Sequence, residues 1–131
     1  MEREYSRVDI LRNSTYLLLR LGFQARQRGY RYLREAVLIS CMEPETLNSV
    51  TKLLYPELAR RFDTTDKQIE GAIRNSIETA WARGKKEAME IVFGSMYKNT
   101  DERPTNTEVI EAIVKSVILS ENARCGAETR Q

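Results

Sequence analysis

The sequence predicts an all-α fold, and three observations predict it. Apolar residues recur at the i, i+3, i+4 spacing of one helix face along most of the chain. No window alternates convincingly with the period of two that marks a half-buried strand. The 6 glycines and 3 prolines are sparse and fall where helices should begin or end.

Taken in order, the first helix spans Arg7 to Leu21. Val8, Leu11, Leu18 and Leu21 form its face, with Ile10 and Tyr16 alongside, and Gly22 stops it. A second helix runs from about Gly29 to Met42 and buries Leu33, Val37 and Cys41. Pro44 closes it, because the residue before a proline disfavours the helical region. The stretch "PETLNSVTKLL" is a short helix or helical turn packing Leu47, Val50 and Leu54. Pro56 suits the first turn of another short helix, "PELARRF", where its missing N–H costs nothing. A "DTT" turn follows. Thr65 and Gln68 then stand in the S/T-x-x-E/Q relation of a capping box, so a long helix should start at Asp66 and end at Gly84, after Arg83. "KKEAMEIVF" makes a further short helix stopped by Gly94, and residues 95–104 read as a loop. Thr105 and Glu108 repeat the capping relation and open a last helix through about Leu119. The whole is one domain over 1–131, with its core at about 7–119 and a flexible polar tail at 120–131.

Composition bounds the function. The length suits one modest core, and 41% hydrophobic with 31% charged residues is a globular balance. Net charge is only +2, but residues 1–62 hold 11 Lys/Arg against 7 Asp/Glu while 63–131 hold 10 against 12. The basic half includes Arg26, Arg28, Arg31 and Arg34, with Glu35 the nearby acid; such a run is usually a solvated face. The chain has no histidine, so the commonest general base is missing. No metal-ligand set, phosphate loop or partnered nucleophile stands out. No enzyme, metal or cofactor is therefore expected. Cys41 reads as a small buried hydrophobe and Cys125 lies in the polar tail. The longest apolar run, "YLLLRLGF", is too short to span a bilayer, and "MEREYSR" leads into no signal-type core. A cytoplasmic protein with no membrane partner is the expectation.

The unit at 56–84 narrows the reading. On a wheel of about 100° per residue, Ile69, Ala72, Ile73, Ser76, Ile77 and Ala80 form one stripe, with Trp81 at its edge. Trp81 and Ile73 are expected in the core against "PELARRF". Lys67, Gly71, Arg74, Asn75 and Glu78 form the opposite face. A short helix, a three-residue turn and a longer helix with polar outward residues is the layout of a helix-turn-helix, whose second helix enters the DNA major groove. The helix start offers free N–H groups to a phosphate, with the Thr64 and Thr65 hydroxyls beside them. The layout alone equally describes a helical hairpin in a bundle. Asp66, Glu70 and Glu78 also oppose phosphate unless two of them point away from the duplex.

With these segments in place, the chain resembles the C-terminal DNA-binding effector domains of the stage 0 sporulation protein A family of response regulators. The resemblance runs from about residue 10 to 118. It rests on "GYRYLREA" (29–36), "TKLLYPELARRFDTT" (51–65), "IEGAIRNSIETAWARG" (69–84), "FG" (93–94) and "RPTNTE" (103–108). It implies a six-helix bundle with a helix-turn-helix, like a winged helix without the wing. It also implies double-stranded DNA as partner, read by helix 66–83 through Thr64, Thr65, Lys67, Gln68, Glu70, Gly71, Arg74 and Asn75. Head-to-tail pairing on DNA is implied too, as is a contact of residues 84–94 with RNA polymerase sigma factor.

Two departures stand out. The family's full-length regulators carry an amino-terminal receiver domain, and about 28 residues before the first strong match cannot hold one. The chain is either a fragment or a stand-alone paralogue, and the "MEREYSRVD" start favours the second. In the recognition helix, Glu70 and Arg74 match the family, whereas Gln68 and Gly71 stand where it carries arginines and Asn75 where it carries a histidine. Each bidentate guanine contact is worth about 1–3 kcal/mol of discrimination, so a different DNA box is expected. The alternative is an interaction module, with weak or lost DNA binding, that pairs with the full-length regulator or the sigma factor.

Overall fold

The computed structural model describes residues 5–98 and 103–129. The chain start at 1–4, the expected loop at 99–102, the last two residues of the tail and the Cys125 side chain lie outside the described residues. Six helices of seven or more residues and one four-residue turn make up the fold, and no strand occurs among the described residues. They are α1 (Arg7–Leu21), α2 (Arg28–Met42), α3 (Tyr55–Arg61), α4 (Asp66–Arg83), α5 (Lys86–Phe93), the turn α6 (Ser95–Lys98) and α7 (Asn106–Thr129). Between α2 and α3, a 3₁₀ turn (Pro44–Asn48) and a five-residue π turn (Val50–Leu54) occupy the "PETLNSVTKLL" stretch. No helix of the described residues is long and apolar enough to cross a membrane.

The termini of these helices follow local chemistry. Ser6 caps α1, accepting from the Asp9 N–H at 3.3 Å, and Gly22 ends it at φ 98°, a left-handed conformation that a side chain would strain. Thr105 and Glu108 form a reciprocal capping box at α7. The Glu108 N–H donates to the Thr105 hydroxyl at 3.2 Å, and the Thr105 N–H donates to Glu108 Oε1 at 2.9 Å.

The buried side chains form one cluster to which α1–α5 and α7 all contribute. At its centre α2 packs on α1, α4 and α7. Gly29 sets the α2–α4 approach: a Cβ there would fall 2.1 Å from both the Ala72 carbonyl oxygen and Ser76 Oγ. Only glycine lets the two backbones come this close.

Four expectations change. The start of the segment read as a loop at 95–104 is the helical turn α6. The last helix continues past Leu119 to Thr129, so the flexible tail is replaced over 120–124 by helix docked on α1. There Glu121 is buried, accepting from Asn13 Nδ2 at 3.2 Å, while Arg124 pairs with Asp9 at 2.9 Å. In α1, Val8 and Tyr16 are exposed, and the buried face is Ile10, Ser14, Leu18 and Leu21. Ile73 is fully buried, but Trp81 is only half-buried. Its ring packs edge-on against Phe93 and Tyr97, with centroids 5.2 and 5.1 Å away, so its partners are α5 and α6.

Candidate nucleic-acid interface

The two-helix unit starts from how α3 stops. Phe62 donates its N–H to the Leu58 carbonyl at 3.0 Å, and Thr64 reaches back to the Ala59 carbonyl at 2.9 Å. Asp63 between them takes φ 52°, so the turn is a Schellman closure with an aspartate in the left-handed position usually held by glycine. The chain is then aimed at Thr65, whose hydroxyl accepts from the Gln68 N–H at 3.2 Å and caps α4. The Gln68 carboxamide oxygen is taken by the Thr64 hydroxyl. Thr64, Thr65 and Gln68 therefore form one small polar group at the amino end of α4.

Along α4 the sequence-derived candidates share the outward stripe. Lys67, Gln68 and Asn75 are exposed, while Glu70, Gly71 and Arg74 are half-exposed. Arg74 forms an ion pair with Glu70 one turn earlier. A Cβ built on Gly71 would meet only Arg74 Nη2, at 3.7 Å, so the bare glycine leaves room beside that guanidinium. Two of the three carboxylates that argued against a DNA face are engaged. Glu70 holds Arg74, and Glu78 pairs with Arg103 from the segment before α7 at 3.3 Å. Asp66 stays exposed in the first turn, where a carboxylate suits the helix dipole.

Residues the sequence reading did not assign to the site hold α4 in place. Asn106 Nδ2 donates to the Tyr55 hydroxyl and to the Glu70 carbonyl, both at 3.1 Å, and so joins α7, α3 and α4. Burial raises the Tyr55 phenol, and the bond from Asn106 partly opposes this. On the other flank Gln27 Nε2 donates to Thr79 Oγ1 at 3.1 Å, beside the Gly29 crossing. The stretches "RPTNTE" and "GYRYLREA" contain Asn106 and Gly29, but periodicity gave neither a role.

Charge around α3 is organised by Glu57, which takes Arg60 and Arg61 together; Arg61 also reaches Glu35 at 2.8 Å. The hydrogen bonds from Arg60 and then Arg61 hold the Glu57 carboxyl down at about 2. Glu35 is therefore paired toward α3, away from the arginines of α2.

The profile of the family described as Sporulation initiation factor Spo0A C terminal matches residues 14–117, from within α1 to within α7. The chain belongs to that family. The match contains the whole α3–turn–α4 unit, every candidate residue on it, and the Asn106 and Gly29 contacts. The Spo0A C-terminal domain is a DNA-binding effector domain, so this chain is a DNA-binding regulatory domain in transcription and sporulation, and its partner is DNA. That family is one of DNA-binding regulatory domains, not an enzyme family.

Proposed function

We propose that the chain is a sequence-specific transcriptional regulator that lays α4 in the major groove of duplex DNA. One observation carries this reading: Lys67, Gly71, Arg74 and Asn75 form a stripe left uncovered by the rest of the fold, while both flanks of α4 are pinned. A rigid helix with an open polar face is what groove readout requires. Arg74 supplies a phosphate or guanine contact, and Gln68 and Asn75 supply amide groups suited to adenine. Thr64 and Thr65, with the free N–H groups of the first turn, suit a phosphate. Glu70 aims the Arg74 guanidinium. Copies pair head to tail on repeated boxes, and residues 84–94, where Ile91 is 75% exposed, offer a surface to RNA polymerase sigma factor.

Random-sequence selection followed by gel shift tests the reading. A defined box should emerge, and Arg74→Ala should weaken binding to it several-fold with no fall in Tm, since among the described residues the ion pair of Arg74 is with Glu70 of its own helix. Failure to enrich any box would favour the interaction module instead. Unchanged binding by a folded Arg74→Ala protein would show that α4 does not face the groove.

A further inference from the structure

The four arginines at 26–34 do not act as one cluster. Arg34 is half-buried, its guanidinium carbon 5.6 Å from the centre of the Tyr30 ring and its Nε shut away from solvent. Arg26 lies in the α1–α2 loop. Arg28 and Arg31 stand exposed on one side of α2, and among the described residues neither has an ion-pair partner. The acid nearest in sequence, Glu35, is held by Arg61.

Their place relative to α4 gives them a use. The α2 backbone touches α4 where Gly29 meets Ala72 and Ser76, and Gln27 reaches Thr79 one turn further along α4. Arg31 lies over the Phe62 ring at 5.5 Å, at the end of α3 just before the turn. Gly29 faces α4, whereas the exposed arginine side of α2 is turned toward the end of α3, beside the turn that leads into Thr64 and Thr65. Helices in contact lie about 8–10 Å apart axis to axis, and the major groove is about 12 Å wide. With α4 in a groove of that width, the turn before α4 stands at the groove wall, so the arginines beside that turn lie near its phosphates. The Phe62 ring also restrains Arg31 before any ligand arrives, which lowers the ordering cost of a contact.

We infer that Arg28 and Arg31 form a second DNA contact, a phosphate clamp on the groove wall flanking α4. It supplies affinity and fixes orientation but reads no sequence. The inference rests on the groove placement of α4 proposed above. Duplex DNA is favoured over an anionic membrane or free RNA because the pair borders the helix-turn-helix and no apolar anchor accompanies it.

Salt dependence tests it. Log affinity for the selected duplex would be followed against log salt for the native chain, for Arg28→Gln/Arg31→Gln, and for Arg28→Lys/Arg31→Lys. Arg12→Gln/Arg20→Gln removes the same charge from α1, which packs on α2, α5 and α7. Each phosphate contact contributes about 0.9 to the slope. The glutamine pair on α2 should thus flatten it by about 1.8, with the ratio of selected to scrambled DNA unchanged. The lysine pair should keep the native slope, and so should the α1 pair. Equal flattening by both glutamine pairs would reduce the effect to bulk charge and overturn the clamp. A native slope in a glutamine-pair protein with native Tm would also overturn it. If that variant unfolds, Arg28→Lys/Arg31→Ala decides: its slope must lose about 0.9, with the ratio of selected to scrambled DNA unchanged. No duplex binding by the native chain would remove both this inference and the groove placement; native binding with an unchanged slope removes this inference alone.

Discussion

Arg74 owes its place to two neighbours, the Glu70 carboxylate that pairs with it and the Gly71 backbone that leaves room beside it. Gly71 costs α4 about 1 kcal/mol against alanine, and nothing in the packing of the fold requires a glycine there. Its openness makes specificity testable at this scale. Gln68→Arg with Gly71→Arg introduces the arginines that the family resemblance implies at two positions that the core does not constrain. The selected box of the native chain should differ from the family's at one or two guanine positions, with adenine favoured there. The double variant should shift preference back, measured by competition between both boxes at one fixed salt concentration. A native chain that already prefers the family's box tenfold would show that 68 and 71 do not carry the readout. The sequence could place these residues because helical period alone assigns them to the outer stripe. It could not show that Glu78 is neutralised, since Arg103 lies 25 positions from it and only the fold brings them together.

At the level of elements, the starts of α4 and α7 were legible because capping is local: the Thr65 and Thr105 hydroxyls meet N–H groups three residues on. The end of α7 was not. No glycine or proline signals a stop near Leu119, and what extends the helix is remote, the docking of Glu121 and Arg124 onto Asn13 and Asp9. Gly29 was read as a helix start, whereas its role is to let α2 approach α4. Gly29→Ala should therefore destabilise by about 3 kcal/mol or more, read as a fall in the urea midpoint at unchanged slope. Near-native stability would mean that the two helices can separate without loss. The α3–α2 link through Glu57, Arg61 and Glu35 has its own signature. A carboxyl held at about 2, below its ordinary 4.5, adds stability above that ordinary value and loses it as pH falls between the two. For a surface cluster this amounts to about 1 kcal/mol or less. Glu57→Gln should lower Tm at pH 7 and match the native protein near pH 2. A Tm difference constant with pH would show that the cluster contributes nothing through charge.

Across the whole molecule, the core exists to hold one helix still with its outer face bare. Ile69, Ile73, Ile77 and Ala80 are fully buried, while Lys67, Gln68 and Asn75 on the opposite side remain exposed. The all-α class and this division of α4 followed from periodicity. The flanking supports from α2 and α7 depend on tertiary approach and were out of its reach. The same core shelters Cys41, whose thiol burial pushes up to about 12, with Glu121 adding to the shift. A Cys125→Ser background therefore has no readily reactive thiol in the native state. Into it a single cysteine can be introduced at Gly71, where a Cβ has room, or at Val8, 61% exposed on α1. Each would carry the same short photo-crosslinker and be irradiated with the selected duplex. Groove placement of α4 predicts cross-links from position 71 to bases inside the selected box, and at most weak, unlocalised ones from position 8. Cross-links from position 8 that equal or exceed those from position 71 would contradict it.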